Sequence, residues 1–350
     1  METKQPILSV RNLSTCFRTD LGLVAAVDDV SFDLVAGETL AIVGESGCGK
    51  TVTSKSIMRL LPERTSSFKA GSRILFRDGD GEVDLIAADD STMREVRGAK
   101  IAMIFQEPMT SLNPVFRVGW QIEEALKYHT KLSAGERRQK AIDMLRLVEI
   151  PSPEKRIDEY PHQLSGGMRQ RVMIAIALCC EPAILIADEP TTALDVTIQA
   201  QILDLMAGLR KKLNTAIMLI THNLGVVAQF CDRVMVMYAG RVIESGSVRD
   251  IFHRPRHPYT RALLDSIPKQ GNKQHGKRLP TIEGIVPSLY DLPKGCRFAD
   301  RCKYKQDRCV AEEPKLVRGE DGREVRCHFP LTIGTATVRE RTPAAPGGLQ

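Results

Sequence analysis

No run in this 350-residue sequence approaches the roughly 18 to 20 uninterrupted apolar residues that a membrane-spanning helix needs, so no span is expected. Aromatic residues are scarce, 5% of the chain with a single tryptophan, which leaves aliphatic side chains to fill the core. The opening residues, METKQPILSV, lack the charged-then-apolar pattern of a secretory signal, and the expectation is a cytoplasmic protein. A strong charge of one sign is missing too. The 49 basic and 43 acidic residues leave a net +6, compatible with an anionic lipid surface nearby but too small to argue for nucleic acid. No internal repeat is visible. What is present is ordinary for a globular protein, 43% hydrophobic and 26% charged. The length exceeds that of a usual single domain, so one large domain with an appendage is expected.

Hydrophobic periodicity places the elements. Residues 7 to 43 alternate apolar and polar positions, as in ILSVRNLSTCF and AAVDDVSFDL, and read as strands. GETLAIVG gives a buried strand running into a glycine-rich loop, and TVTSKSIMRLL follows with helical spacing. Arg73 to Asp90 reads as a strand pair with its turn at Asp78–Gly81. From about residue 108 to 178 the pattern turns helical and amphipathic, in GWQIEEALKYH and RRQKAIDMLRLVEI, with a break at Pro151–Pro153. Buried strands return at 183–188, 216–221 and 233–240, the first two separated by a helix with Ile198, Ile202, Leu205 and Leu209 on one face. Strands alternating with helices imply a mainly parallel sheet, with the helices of 108–178 as an insertion. After about residue 265 the character changes. KQGNKQHGKR (269–278) reads as a linker, a cysteine-bearing segment follows to about 335, and residues 336–350 read as a disordered tail.

Gly44-Glu45-Ser46-Gly47-Cys48-Gly49-Lys50-Thr51 fits the phosphate-binding pattern G-x-x-x-x-G-K-[ST], after a strand and before a helix. The glycines let backbone N–H groups turn inward around phosphate oxygens, and the helix N-terminus adds its partial positive charge. Lys50 sets an ammonium against the outer phosphates and Thr51 offers a hydroxyl to Mg²⁺. A buried strand, Ile184-Leu185-Ile186-Ala187, ends in Asp188 and Glu189. Asp188 suits Mg²⁺, directly or through water, and Glu189 suits a general base that polarises an attacking water.

Leu164-Ser165-Gly166-Gly167-Met168-Arg169-Gln170 resembles the signature motif of ATP-binding cassette (ABC) proteins, with Met168 where the family usually has glutamine. Physically, Ser165, Gly166 and Gly167 open a helix whose free N–H groups suit a γ-phosphate. The resemblance implies that this phosphate belongs to ATP on another subunit's P-loop. It further implies that Gln106 is the Q-loop residue sensing Mg²⁺ and water, Ala193-Leu194-Asp195 the D-loop, His222 the switch histidine at the γ-phosphate, and Phe17 the aromatic stacked on adenine. Residues Phe105 to Pro114 and His257 to Pro268 look like the corresponding segments of dipeptide and oligopeptide importer ATPases, as does GCRFADRC.

The fold implied is α/β: a RecA-like P-loop ABC nucleotide-binding domain (1–265) with a β-rich N-terminal layer, an inserted helical subdomain (about 108–178) and a cysteine-bearing C-terminal extension. The implied cofactors are ATP and Mg²⁺. The implied partners are a second homologous ATPase subunit forming a heterodimer, two transmembrane permease subunits, and a periplasmic or extracellular substrate-binding protein, at the cytoplasmic face of the plasma membrane. The alternative is a non-transport ABC ATPase acting on nucleic acid or ribosomes. The stretch between Lys50 and Ser165 has room only for the small helical domain, and the chain holds one cassette.

Nine cysteines divide into two groups. Cys16, Cys48, Cys179, Cys180 and Cys231 are scattered, whereas Cys296, Cys302, Cys309 and Cys327 form C-x5-C-x6-C-x17-C. In a reducing compartment, four clustered cysteines suggest metal, either zinc or an iron–sulfur cluster. The lack of a tight C-x₂₋₄-C pair favours the larger four-iron (4Fe-4S) cube over zinc. Arg297, Arg301, Lys303, Arg308 and Arg326 are expected to offset the charge of a thiolate-ligated cluster.

Overall fold

The computed structural model describes residues 5–79, 81–106, 111–192, 195–267 and 281–332. The expected linker at 269–278, the expected tail at 336–350, residues 107–110 after Gln106, and Ala193 and Leu194 of the D-loop lie outside the described residues.

Two sheets carry the fold. The N-terminal sheet is antiparallel and built on two long strands, β1 (Pro6–Thr19) and β2 (Gly22–Val35). β4 (Ser66–Phe68) and β5 (Arg73–Asp78) pair with β1, and β6 (Gly81–Asp84) closes a tight hairpin with β5 through Asp78 opposite Gly81. The second sheet has β3 (Thr39–Val43), β7 (Ile101–Ile104), β8 (Ile184–Asp188), β9 (Ala216–Ile220) and β10 (Arg233–Tyr238) running parallel in the order β10-β3-β9-β8-β7. Beyond β10 lie three antiparallel strands: β11 (Arg241–Ser247), then β13 (Glu324–Val325) and β12 (Val317–Arg318). The cysteine-bearing segment thus adds a small hairpin to the core sheet.

Apart from Thr39, Asp188 and Arg233 at their ends, the parallel strands are apolar, because both of their faces are covered. Their period of two deals alternate residues to opposite layers. Ile184 and Ile186 of β8, with Met218 and Ile220 of β9, pack beneath the N-terminal sheet against Leu8, Val10 and Phe76. Leu185 and Ala187, with Ile217 and Leu219, face the helices. Each such Ile, Leu, Met, Val or Phe side chain removed completely from water contributes about 1.5–3 kcal/mol.

The helical unit comprises α3 (Val118–His129), α4 (Ala134–Leu147), the short α5 (Pro153–Arg156) and α6 (Gly166–Leu178). Two further helices, α1 (Lys50–Ile57) and α2 (Asp90–Val96), precede it in the chain. α4 starts at a capping box in which Ser133 and Glu136 satisfy each other's free N–H groups. Gly119 of α3 is required by packing, since a Cβ there would lie 2.3 Å from Ile157 Cγ1. α7 (Val196–Leu213) turns Ile202, Leu205 and Leu209 inward, and Ile198 packs at the edge of the same cluster. α8 (Leu224–Phe230), α9 (Val248–His253) and α10 (Pro258–Asp265) cover the other end of the sheet with Phe298 of the C-terminal segment. The helix α11 (Asp307–Ala311) carries Cys309. Among the described residues no helix is long and apolar enough to cross a membrane.

Candidate active site

The register of the parallel strands collects the site. β8 aligns Ala187 with Ile104 of β7 and Asp188 with Ile220 of β9. Two residues past Ile104 is Gln106, two past Ile220 is His222, and between them Glu189 follows Asp188. All three side chains therefore leave the sheet at one edge. There Gln106 Nε2 donates to Glu189 Oε2 at 3.0 Å, and His222 Nδ1 stands 3.1 Å from Glu189 Oε1. Thr192 Oγ1 donates a third bond to the carboxylate at 2.9 Å. Glu189 itself sits in the left-handed region at φ 48°, with its N–H bonded to the Ile220 carbonyl at 2.8 Å. A non-glycine residue there is strained, and the backbone bond to the neighbouring strand end holds it in place.

The two adjacent carboxyls are driven in opposite directions. Burial pushes Asp188 up, and the Thr51 hydroxyl at 3.3 Å from Oδ1 offsets part of that. Burial also acts to raise Glu189, but the contacts with His222 and Thr192 outweigh it and hold the carboxyl below its ordinary value. Glu189 is thus a charged acceptor at neutral pH. Asp188 Oδ1 and Thr51 Oγ1 are the hard oxygen donors that Mg²⁺ prefers.

β3 feeds the P-loop into the same edge. Gly44, Gly47 and Gly49 have φ of 154°, 77° and 102°, and Gly49 caps α1, whose first residue is Lys50. A Cβ at Gly44 would lie 2.3 Å from the Met237 carbonyl and 2.7 Å from Cys48 Sγ, so only glycine fits between loop and strand β10. Lys50 is buried, and its ammonium donates to the Gly44 and Glu45 carbonyls at 2.8 and 2.9 Å. Ser46 and Gly47 form the exposed tip of the loop. The Cys48 thiol is buried beneath it, which raises its pKa and keeps it neutral. Glu45 is turned away from the loop interior: its N–H donates to Tyr259 Oη at 3.0 Å, and its carboxylate pairs with Arg301.

The remaining expected residues lie on other elements. Phe17 is half-buried on β1, opposite Val24 and Ser66. Ser165 caps α6, accepting from the Met168 N–H at 3.3 Å, with Gly166 in open space and Gly167 close against Ile198 of α7. Asp195 caps α7 through the Ile198 N–H at 2.9 Å. These are exposed helix starts, and within the single chain their hydrogen bonds serve their own helices. Sequence reasoning missed Thr192, Tyr259 as a P-loop contact, and Gln170. The last is fully buried and donates to the Pro190 carbonyl, tying α6 to the turn after Glu189.

Cys296, Cys302, Cys309 and Cys327 line one small pocket, with His257, Phe298 and Phe329. All nine cysteines are free. Burial first, and then the neighbouring thiols, raise Cys327 to about 12, and burial raises Cys296 to about 11. Among the described residues no three His, Cys, Asp or Glu side chains are grouped to hold a metal ion. The zinc or iron–sulfur centre expected from the spacing is therefore not shown. The expected role of the basic neighbours is corrected. Arg297 pairs with Asp28 and Glu313, Arg301 with Glu45, Arg308 with Glu312 and Arg326 with Asp29, so carboxylates claim four of the five. The largely buried side chains of Arg297, Arg301 and Arg326 must each find a carboxylate or carbonyl partner, and Asp28, Glu45 and Asp29 lie far away in sequence.

A strand-loop-helix phosphate cradle beside an ordered carboxylate, with a separate helical unit carrying a capped glycine pair, defines an ATPase of the ABC cassette class. Comparison with known proteins narrows this. The family model described as ABC transporter matches residues 27–192, and that of the oligopeptide/dipeptide transporter C-terminal region matches residues 243–309. A dipeptide transport ATP-binding protein of Bacillus subtilis is 53% identical over 323 residues, covering 92% of this chain and 94% of that one. One from Escherichia coli is 50% identical over 327 residues, 93% and 97% of the two chains. A putative peptide import ATP-binding protein of Brucella melitensis is 51% identical over 329 residues, again 93% and 97%. Among solved structures, a dimeric post-hydrolysis state of the cassette MJ0796 bound to ADP and Pi matches at a TM-score of 0.60 and 26% identity, over 69% of this chain and 99% of that one. The chain belongs to the oligopeptide/dipeptide-transporter family of ABC ATP-binding proteins.

Gly44→Ala follows directly from this geometry. The added methyl must displace the Met237 carbonyl or the loop, a distortion of about 1–3 kcal/mol, and ATP affinity should fall about tenfold or more. Isothermal titration of the purified chain measures it, and unchanged affinity would contradict the close packing of loop on strand.

Proposed function

We propose that this chain is the motor subunit of an importer for short peptides, binding ATP in its P-loop and hydrolysing it to drive uptake through separate membrane subunits. The observation that carries the reading is the Glu189 carboxylate, held ionised between Gln106, Thr192 and His222 at the edge where the P-loop opens. In this reading Glu189 polarises the attacking water, His222 and Gln106 orient it and sense the γ-phosphate, and Lys50 neutralises the phosphates. Thr51 and Asp188 hold Mg²⁺ with the nucleotide. Phe17 stacks on the adenine. Ser165, Gly166, Gly167 and Asp195 act in trans, on ATP bound by a second cassette. Their exposed, capped helix starts support that role, because free N–H groups there have room for a phosphate. The relatives named as dipeptide and peptide import proteins favour this reading over action on nucleic acid or ribosomes.

Glu189→Gln keeps the shape and the neighbours but removes the charge. Steady-state ATPase activity of the assembled transporter should fall by about 10²–10⁴-fold while ATP binding survives. Turnover close to that of the wild type would remove Glu189 from the role of base.

The working assembly is read as a peripheral motor on the cytoplasmic face of the inner membrane. It would pair with a second, distinct cassette on two permease subunits fed by a substrate-binding protein. This chain alone should hydrolyse ATP weakly, and adding the partner cassette should restore transport-coupled turnover. Robust coupled hydrolysis by this subunit and the permeases alone would count against a heterodimer.

The four C-terminal cysteines are read as ligands of a 4Fe-4S cluster. Four free thiols far apart in sequence line one pocket, and the lack of a tight C-x₂₋₄-C pair supports a four-iron cluster over zinc. When bound, such a group cross-links separate turns of a segment too small to build its own core. Anaerobically purified protein should be brown and hold about four iron atoms per chain. Colourless anaerobic protein with stoichiometric zinc and no iron would overturn the assignment.

A further inference from the structure

The C-terminal segment reaches the P-loop through one side chain. Arg301, between the turns that carry Cys296 and Cys302, is only 5% exposed, and its guanidinium meets the Glu45 carboxylate in a two-point pair at 2.6 and 2.9 Å. The guanidinium is held on every side. Nε donates to the Glu283 carbonyl at 3.1 Å and Nη2 to the Ile282 carbonyl at 3.2 Å. Nη1 lies 3.3 Å from Tyr238 Oη, with the guanidinium over the Tyr238 ring. Gly284, at φ 84°, leaves room for the arginine stem, since a Cβ there would lie 3.1 Å from Arg301 Cγ. Such a fork is fixed before any nucleotide arrives.

Glu45 is fixed equally firmly. Its carbonyl takes the Lys50 ammonium, its N–H goes to Tyr259 Oη of α10, and its carboxylate goes to Arg301. A second arginine grips the strand end beneath the loop. Arg297 donates to the Ala239 carbonyl at 2.6 Å and pairs with Asp28, while the Gly240 N–H bonds the Cys48 carbonyl at 3.0 Å. Arg301, 256 positions downstream, thus holds the Glu45 side chain at the start of the phosphate cradle.

We propose that Arg301 is a positioning residue for ATP: it draws the Glu45 carboxylate out of the cradle toward the C-terminal segment and cancels its charge, so that the polyanionic phosphates meet no unpaired negative charge in the loop. The proposal rests on the P-loop being the ATP site, and it makes the C-terminal segment part of the nucleotide-binding apparatus. Without Arg301 the carboxylate is free to repel the phosphates or to compete for Lys50, whose ammonium already contacts the Glu45 carbonyl.

The test is Mg-ATP binding to the purified full-length chain, by titration calorimetry, for wild type, R301Q, E45Q and E45Q/R301Q. R301Q should raise the dissociation constant about tenfold, and the double variant should recover most of that loss because the uncompensated charge is gone. In the assembled transporter R301Q should raise KM for ATP by a larger factor than it lowers kcat. Wild-type affinity in R301Q overturns the proposal. So does a double variant as weak as R301Q, which would mark Arg301 as a support for the fold alone. If R301Q yields no folded chain, R301K carries the test. It keeps the cancelling charge, so affinity close to wild type is expected, and a tenfold loss in R301K that E45Q/R301K does not recover would overturn the proposal. Failure of the wild-type chain itself to bind Mg-ATP would instead remove the P-loop reading on which the proposal stands.

Discussion

The parallel register of β7, β8, β9 and β3 is the constraint on which the site depends. Backbone hydrogen bonds fix which residues are level across the sheet, and each strand ends within a residue or two of the same line. Gln106, Glu189 and His222 belong to three strand ends and meet only because those ends are level. A slip of one residue in any strand would send its site side chain to the opposite face and exchange the two apolar layers as well. The cost of such a slip is set by the core, since Ile184 and Ile186 are shaped for one layer and Leu185 and Ala187 for the other. The placement of these three side chains is therefore held by packing energy spread over the whole sheet and owes little to any one polar contact.

On that frame the electrostatics are uneven by construction. Asp188 is pushed toward neutrality by burial while its immediate neighbour is held charged. Pairs of titratable groups driven apart in this way divide labour at a reacting centre. The buried Asp188 gains most from a cation, which would repay its desolvation, whereas Glu189 keeps its charge without one. The two adjacent carboxylates differ because their side chains leave the strand end in different directions, one toward Thr51 and one toward His222.

The P-loop, the strand ending in Asp188-Glu189 and the amphipathic helices were legible in the sequence because each is written in consecutive residues. The Asp78–Gly81 turn was legible for the same reason. What could not be read was pairing at long range. Thr192 looks like any loop threonine until the turn brings it back to Glu189. The strands β12 and β13 have two residues each, too few to carry a period. The arginines beside the cysteines looked like a basic surround for a cluster, and no local signal marks Glu45, Asp28 or Asp29 as their partners. Tyr259 was noticed only as part of a family-like stretch, and nothing in that stretch points back 214 residues to the P-loop. The cassette's chemistry is local in the chain, and its scaffolding is not.

The hairpin that β12 and β13 add beside β11 has a bearing on how the core sheet ends. An edge strand offers a row of unpaired N–H and C=O groups on which foreign strands can grow. β11 is seven residues long and flanks the parallel core, so uncovered it would be an inviting template. Two-residue strands occupy its pairing positions at Glu244 and Ser245, and the exposed Val317 and Arg318 that follow are too short a ledge to propagate. A chain lacking this hairpin would keep every motif of an ATPase and acquire a tendency to aggregate, most of all while folding on the ribosome before residue 324 has emerged.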